Sequence, residues 1–150
     1  MKKAVYLFFK RALDFILALA AMLVLSPLFA VIAVAVRLDS KGPVFFCQRR
    51  AGKGRRDFKM VKFRTMRQDT PHDTATHLLN NADSYITRVG AFLRKTSLDE
   101  LPQLWNIVRG DMAIVGPRPA LWNQFDLLDE RDKYGANDVR PGLTGWAQIN

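Results

Sequence analysis

The sequence contains very little cysteine and histidine. Cys47 is the single cysteine and there are two histidines, His72 and His77, in a polar stretch of the chain. This excludes an intrachain disulfide and leaves no Cys/His cluster for a zinc site, as is usual for a cytosol-facing domain. The P-loop spacing GxxxxGK[ST] is also missing, so the AGKG stretch at residues 51–54 is not a nucleotide-binding loop of that kind.

Acidic residues are scarce in the first half of the chain. Residues 1–67 hold fifteen Lys and Arg against three Asp and Glu, whereas residues 68–150 hold eight against eleven. The net charge of +9 therefore comes from the N-terminal half. Such basic segments attract anionic lipid surfaces and nucleic acid alike. The acidic second half and the lack of a nucleic-acid-binding motif argue against nucleic acid.

A long apolar run lies within this basic half. It extends over residues 15–36 and is interrupted only by Ser26 and Pro27. At about 1.5 Å per residue it would reach about 33 Å, enough to cross the hydrocarbon core of a bilayer. A secretory signal peptide is a poor interpretation, because its apolar region is about 7 to 15 residues long.

Two membrane topologies fit this run. Lys and Arg flank it on both sides, and positive flanks prefer the cytoplasmic face, so a spanning helix would place one cluster on the disfavoured side. Pro27 removes one helical hydrogen bond near the middle of the run, and the Ser26 hydroxyl can satisfy a freed carbonyl. A re-entrant helix-break-helix and a kinked spanning helix both remain open on these grounds.

The remaining chain predicts a small, mainly helical domain with one β-hairpin. Strand-like segments flank Gly52 and Gly54, which predicts a basic hairpin. Apolar residues then recur at helical spacing and predict three helices with buried faces, of which the last could instead rest on a bilayer surface. The positions that define these faces are Leu78, Ala82, Tyr85, Ile86, Val89, Phe92 and Leu93, then Leu101, Leu104, Trp105 and Val108, and finally Leu121, Trp122, Phe125 and Leu128.

An adjacent pair of acids, Asp99 and Glu100, stands in the segment SLDELPQLWN, residues 97–106. The pair has a purely structural interpretation as a helix start. Asp99 is a good N-cap with Pro102 in the first turn, and Ser97 with Glu100 fits a capping box.

Four cations favour a chemical role for the acids instead. Lys62, Arg64, Arg94 and Arg118 stand in apolar or rigid segments, and prolines on both sides of Arg118 restrict its backbone. Fixed guanidinium groups indicate a bound anion. A carboxylate can attack phosphorus and a neighbouring carboxylate can hold Mg²⁺, which together with cations is sufficient for phosphoryl transfer.

These segments resemble those of the bacterial sugar transferases, the monotopic polyprenyl-phosphate phosphoglycosyl transferases. The resemblance is carried by RKTSLDELPQLWNIVRGDMAIVGPRP, by KFRTM before it, by RPGLTGWAQIN after it and by the Ser-Pro break in the apolar run. It covers nearly the whole chain, in order. Since members of this family usually continue beyond GWAQIN, the catalytic domain is expected to be truncated here.

The resemblance implies a reaction and its cofactor. A sugar 1-phosphate would pass from a UDP-sugar to undecaprenyl phosphate, releasing UMP, in a ping-pong cycle that initiates surface glycan or glycoconjugate assembly. Asp99 would be the nucleophile and Glu100 a ligand of Mg²⁺. Glucose, galactose and N-acetylated amino sugars are all used in the family, so the sugar stays open.

The resemblance also implies positions for the remaining site residues. Those expected to surround the phosphates or the nucleotide are Lys62, Arg94, Arg118, Arg140 and Pro141. Ser26 and Pro27 would form the break that makes the membrane helix re-enter, which favours the re-entrant topology.

The expected architecture is α+β, with a re-entrant membrane helix-break-helix over residues 1–38 and a mainly helical cytosolic domain with a short hairpin over residues 39–150. We expect a monotopic protein of the bacterial inner membrane, with its active site on the cytoplasmic face and phospholipids around it. A homo-oligomer is left open. The alternative is a membrane-tethered scaffold that binds anionic lipids without catalysis, with Asp99 and Glu100 as caps.

Overall fold

The structure is a computed structural model that describes residues 2–70 and 82–145. His72, His77 and Leu78 lie outside the described residues, as does the end of the RPGLTGWAQIN segment. The chain forms two compact units. The first comprises Met1–Val24, Arg49–Met60 and Gln103–Asn150, and the second comprises Leu25–Gln48 and Val61–Pro102.

The described chain contains both helices and short strands, which confirms the expected mixture of the two. The helices are α1 Lys2–Val24, α2 Ser26–Asp39, α3 Ala82–Tyr85, α4 Arg88–Thr96, α5 Gln103–Arg109 and α6 Phe125–Lys133. The strands are β1 Phe45–Ala51, β2 Asp57–Phe63, β3 Ala113–Val115, β4 Ala120–Leu121 and β5 Gly142–Thr144. Single 3₁₀ turns occur at Lys53–Arg55, Leu98–Glu100 and Ala136–Asp138.

The N-terminal apolar run is broken where the Ser-Pro pair predicts it. Helix α1 ends at Val24, Leu25 precedes the next helix, and Pro27 lies in the first turn of α2, where its missing N–H is tolerated. The two helices are bent by 63° at this break. Within the described residues neither helix alone has the length and apolarity to cross a membrane, whereas the bent pair meets that criterion by length and composition.

The predicted hairpin is present. The N–H of Gly52 donates to the carbonyl of Arg56 at 2.8 Å, and Gly54 takes a left-handed φ of 62° in the turn. Strand β1 lies between β2 and β4 in a three-stranded sheet, with β4 paired antiparallel through Arg50 and Leu121. The Arg49 guanidinium lies 4.5 Å from the ring centroid of Trp122, so a cation–π contact adds to this edge.

The core of the second unit fixes the segment that carries the acids. Ile32 and Val36 of α2, Phe63 at the end of β2 and Leu93 of α4 are all buried together. Leucines on either side of the acidic pair, Leu98 and Leu101, pack against this cluster. Because both flanking side chains are held by the core, the intervening Asp99 and Glu100 have little freedom of position.

Polar contacts hold α2 and α4 together in the same unit. Arg64 is 5% exposed and donates to the carbonyls of Lys41 at 2.6 Å and Ser40 at 2.8 Å, just beyond the end of α2. The Asp39 carboxylate accepts from the N–H of Val89 at 2.9 Å, in the first turn of α4. Arg64, one of the four cations singled out in the sequence, therefore serves the fold by binding carbonyls.

In the first unit, hydrogen bonds from Arg11 join α1 to α5. Arg11 donates to the carbonyls of Ile107 at 2.6 Å and Val108 at 2.9 Å, at the C-terminal end of α5, where a cation is favourable. One turn along α1, the buried Asp14 accepts from Lys10 at 2.7 Å. The middle of α1 thus carries polar side chains whose hydrogen bonds are made within the protein.

Three sequence expectations require correction in detail. The helix predicted between residues 78 and 93 is divided in its described part, because Ile86 forms a β-bridge with Met66 between α3 and α4. In α5, Leu104 and Ile107 are buried while Trp105 is exposed, so the buried face is rotated from the predicted one. Leu121 and Trp122 precede α6, and Leu121 belongs to β4.

Candidate active site

The acidic pair lies in a short 3₁₀ turn, Leu98–Glu100, between α4 and α5. Ser97 ends α4 in a left-handed conformation with φ 57°, and its carbonyl accepts from the N–H of Glu100 at 3.2 Å. The Ser97 side chain makes no capping hydrogen bond, and α5 begins only at Gln103. Both capping interpretations are therefore wrong.

Glu100 is paired with Lys62 at the end of β2. The Lys62 ammonium donates to Oε1 of Glu100 at 2.6 Å, with the two side chains 20% and 26% exposed. This ion pair holds the ammonium of Lys62 next to the acidic turn. Because a lysine has three donors, the ammonium can bind a further anion while it remains paired.

Asp99 is 9% exposed, unlike most carboxylates. Burial raises the pKa of its carboxyl above the usual range. The charge of Lys62 opposes the rise, that of Glu100 adds to it, and that of Arg94 again opposes it. A desolvated carboxylate between cations is a stronger nucleophile than one fully hydrated in water, provided that it is ionised.

Arg94 is held by a threonine. Its Nε donates to Oγ1 of Thr65 at 2.9 Å, and Thr65 is buried two residues beyond the end of β2. Arg94 lies in the last turn of α4, and Asp99 lies in the 3₁₀ turn that follows. The second unit therefore brings together four of the predicted site residues: Lys62, Arg94, Asp99 and Glu100.

The other predicted substrate contacts belong to the first unit. Arg140 donates from Nε to the carbonyl of Gly110 at 2.7 Å, and the carbonyl of Pro141 accepts from Ala113 at 2.8 Å. These bonds align β5 with β3 in a parallel pair. Arg118 is exposed, and its carbonyl accepts from Arg131 at 2.9 Å. This hydrogen bond holds the backbone of Arg118, while its side chain is exposed to solvent.

Close backbone contact explains the glycines of this parallel pair. A Cβ at Gly142 would lie 2.1 Å from the nitrogen of Gly116, and one at Gly116 would lie 2.4 Å from the carbonyl oxygen of Arg140. Neither position has room for a side chain. The backbone that carries Arg140 is therefore tightly fixed against the loop that leads to Arg118.

The described part of the chain contains no group of three or more His, Cys, Asp or Glu side chains arranged to hold a metal ion. The carboxylate of Glu100, the expected ligand, nevertheless fits the way in which Mg²⁺ is usually held. This ion keeps several waters and binds through one or two carboxylates together with substrate phosphates. The acidic turn thus fits a Mg²⁺ that arrives with a phosphorylated substrate.

A sequence profile described as "Bacterial sugar transferase" matches residues 5–150. The chain belongs to the bacterial sugar transferase family. The match spans both units of the fold and includes the acidic turn. Membership confirms the resemblance that was drawn from the sequence motifs.

Curated relatives within the family are named as undecaprenyl-phosphate sugar phosphotransferases. A UDP-N-acetylgalactosamine-undecaprenyl-phosphate N-acetylgalactosaminephosphotransferase of Aeromonas hydrophila is 42% identical over 97% of this chain and 34% of its own length. UDP-glucose:undecaprenyl-phosphate glucose-1-phosphate transferases of Xanthomonas campestris pv. campestris and Escherichia coli K12 are 48% and 46% identical over 91% and 94% of this chain. They are covered over 29% and 31% of their lengths, so the chain spans about a third of these family members.

Thr65 lies in the KFRTM segment but was not among the predicted site residues. The contact between Thr65 and Arg94 joins residues 29 positions apart, so no local pattern predicts it. Gly90 was missed for the same reason. Its Cβ would lie 2.1 Å from the carbonyl oxygen of Thr65.

Proposed function

We propose that this chain catalyses transfer of a sugar 1-phosphate from a UDP-sugar to undecaprenyl phosphate, giving undecaprenyl-diphosphosugar and UMP. Family membership supports the reaction class, and the names of the relatives supply both substrates. The relatives include transferases named for glucose and for N-acetylgalactosamine, so the sugar is not set by the family. Such a product would initiate the assembly of a surface polysaccharide or glycoconjugate.

The proposed cycle has two displacements at phosphorus. An oxygen of the Asp99 carboxylate attacks the β-phosphorus of the UDP-sugar, and the bond from that phosphorus to the bridging oxygen breaks, so that UMP leaves with the bond electrons. An acyl phosphate that carries the sugar remains on Asp99. An oxygen of undecaprenyl phosphate then attacks the same phosphorus, and the Asp99 carboxylate leaves unchanged.

The buried position of Asp99 among cations is the observation that carries this proposal. The nucleophile is desolvated, and Lys62 and Arg94 both stabilise its ionised form. The same two cations would stabilise the additional negative charge that phosphate substrates bring. We assign Asp99 as nucleophile and Lys62 and Arg94 as phosphate-binding residues.

Glu100 is the residue that would hold Mg²⁺, together with substrate oxygens and water. The ion would supply charge neutralisation at the diphosphate. Arg118 and Arg140 with Pro141 are assigned to the donor, with Arg118 as the exposed guanidinium available to an anion. Oligomeric state does not enter this assignment.

We further propose that α1 and α2 form a re-entrant membrane element of a monotopic inner-membrane protein, with the site on the cytoplasmic face. The bend at Ser26 and Pro27 supports this topology, as do the basic residues on both flanks. Many large apolar side chains of α1 and α2 are exposed, including Phe8, Leu23 and Val31. Contact with lipid would remove this surface from water.

Intact-protein mass spectrometry with donor alone tests the proposal. The purified chain in detergent with Mg²⁺ is incubated with each of a panel of UDP-sugars, and UMP release is measured with and without undecaprenyl phosphate. We expect one donor to add the mass of a sugar phosphate to the wild-type chain and to the control Asp126→Asn, which replaces an exposed carboxylate. Asp99→Asn should show neither adduct nor turnover. Lipid binding without UMP release from any donor would instead support the non-catalytic scaffold.

A further inference from the structure

Thr65 is a buried polar residue whose hydroxyl meets a proposed phosphate-binding side chain. It is 7% exposed, and its Oγ1 accepts from Nε of Arg94 at 2.9 Å. Its backbone is fixed as well, because its carbonyl accepts from the N–H of Thr87 at 3.1 Å. Gly90 leaves no space between α4 and this carbonyl, since a Cβ there would lie 2.1 Å from the oxygen. The acceptor for Arg94 is thus held rigidly.

The chemistry of this acceptor distinguishes Arg94 from neighbouring cations. Lys62 is paired with the carboxylate of Glu100, and Arg67 is paired with that of Asp69 at 2.6 Å. Arg94 is held by a neutral hydroxyl, so its charge is not cancelled by its partner. In the described residues Thr65 is the only hydrogen-bond acceptor of the Arg94 side chain. A guanidinium has five N–H groups, so the four on the two Nη atoms stay available to an anion.

We infer that Thr65 is a positioning residue for Arg94, whose hydroxyl fixes the guanidinium through Nε and leaves both Nη groups to bind phosphate oxygens during transfer. The binding of phosphate by Arg94 rests on the proposed function, whereas the hydrogen bond between Arg94 and Thr65 does not. A long side chain that is already oriented loses less rotamer freedom when it binds an anion. Removal of the hydroxyl should therefore weaken transition-state binding while Arg94 itself is retained.

Three variants test the role of the hydroxyl. Thr65→Val keeps the shape and removes the acceptor, Thr65→Ser restores it, and Thr96→Val is the matched control. Thr96 lies at the end of α4, is exposed, and donates to the carbonyl of Phe92 rather than to a site residue. We expect Thr65→Val to lower kcat/KM about tenfold, because hydrogen bonds to charged groups are the stronger ones. Thr65→Ser should recover most of the loss, and Thr96→Val should match wild type.

A double variant separates a local effect on Arg94 from a general effect on the fold. Arg94→Met removes the guanidinium and keeps an unbranched side chain. If Thr65 acts through Arg94, then adding Thr65→Val to Arg94→Met should change kcat/KM less than twofold. An additional tenfold loss in the double variant would show that Thr65 acts independently of Arg94 and would overturn the inference.

A spectroscopic readout keeps the test independent of activity. The Arg94 Nε–H resonance of the isotope-labelled chain in detergent should be protected from solvent exchange in wild type and in Thr65→Ser, and lost or broadened in Thr65→Val. An unchanged resonance in Thr65→Val would refute the inference. A wild-type chain with the protected resonance but without UMP release from any UDP-sugar would refute the proposed transfer and leave the positioning of Arg94 supported.

Discussion

Lys62 Nζ donates to Glu100 Oε1 at 2.6 Å, and Glu100 directly follows the buried Asp99. One ammonium group therefore acts on both acids of the turn. It neutralises Glu100 by contact and stabilises the ionised form of Asp99 through its charge. Replacement of this single lysine should thus affect the whole acidic turn.

We predict that Lys62→Met lowers kcat/KM at neutral pH by about tenfold or more. Its removal leaves the partly buried Glu100 carboxylate unpaired and takes away one of the two cations that oppose the raised pKa of Asp99. Because a larger share of Asp99 would then be protonated, the acidic limb of the pH–activity profile should move to higher pH. Steady-state kinetics across a pH series measure both changes.

The matched control for this variant is Lys59→Met. Lys59 lies on the same strand and is exposed. Its replacement by Met removes the same formal charge from the chain as Lys62→Met. It should leave both kcat/KM and the acidic limb at their wild-type values. Equal losses in the two variants would mean that net charge, rather than the contact with Glu100, controls activity.

We predict that Asp99→Asn increases thermal stability at neutral pH while it abolishes activity. Folding raises the pKa of Asp99 mainly through burial, so the stability associated with its protonated form is fully present below the unfolded-state pKa. That stability is lost as pH rises from about 3.9, the usual value for Asp, through the folded-state pKa. An asparagine does not ionise and avoids this loss.

The measurement is the difference in Tm between Asp99→Asn and wild type over a pH series. It should be positive at pH 7 and shrink as pH falls towards the usual carboxyl pKa. Asp126→Asn, at an exposed position in the first turn of α6, provides the comparison and should show no such increase. A lower Tm for Asp99→Asn at neutral pH would show that its ionised form is stabilised by the fold, contrary to the raised pKa.

Local chemistry in the sequence predicts much of this fold. The Ser-Pro pair predicts the break that follows Val24, and glycines predict the turn between β1 and β2, because both depend on the backbone limits of one or two residues. The acids and Lys62 are identified by their residue types. In each case the necessary information lies within a few positions of the feature.

Features that depend on distant contacts were not predictable. Ser97 and Glu100 match a capping box, but the core contacts of Leu98 and Leu101 place them in a separate turn, and tertiary packing overrides the local preference. The sequence favoured Arg64 as an anion ligand, but its guanidinium donates to the carbonyls of Lys41 and Ser40. Thr65 has a role only through a partner on another helix.

We predict that Gly90→Ala destabilises the chain by about 1–3 kcal/mol, although alanine is ordinarily the better helix former. Its Cβ would lie 2.1 Å from the carbonyl oxygen of Thr65, and backbone atoms there cannot move away easily. Chemical denaturation in detergent gives the change in unfolding free energy. Ala91→Gly, at the exposed next position, serves as the control and should cost about 1 kcal/mol or less. Stabilisation by Gly90→Ala would contradict the close contact between α4 and Thr65.

The final prediction concerns the topology of the bent helix pair. If the pair re-enters, both of its flanks lie on the cytoplasmic face. Cys47 is exposed and is the only cysteine, so the wild-type chain already reports the flank beyond α2. The variant Cys47→Ser with Tyr6→Cys reports the other flank, because Tyr6 is exposed near the start of α1.

A membrane-impermeant maleimide should modify both cysteines in inside-out membrane vesicles and neither in right-side-out vesicles. Detergent-solubilised samples of each chain provide the control that both thiols can react, and the variant with Cys47→Ser alone gives the background. Positive residues on both flanks favour this result, since a spanning helix would leave one basic cluster on the disfavoured face. Modification of the two positions from opposite faces would establish a spanning helix, and the site would then require another means of staying at the level of the lipid phosphate.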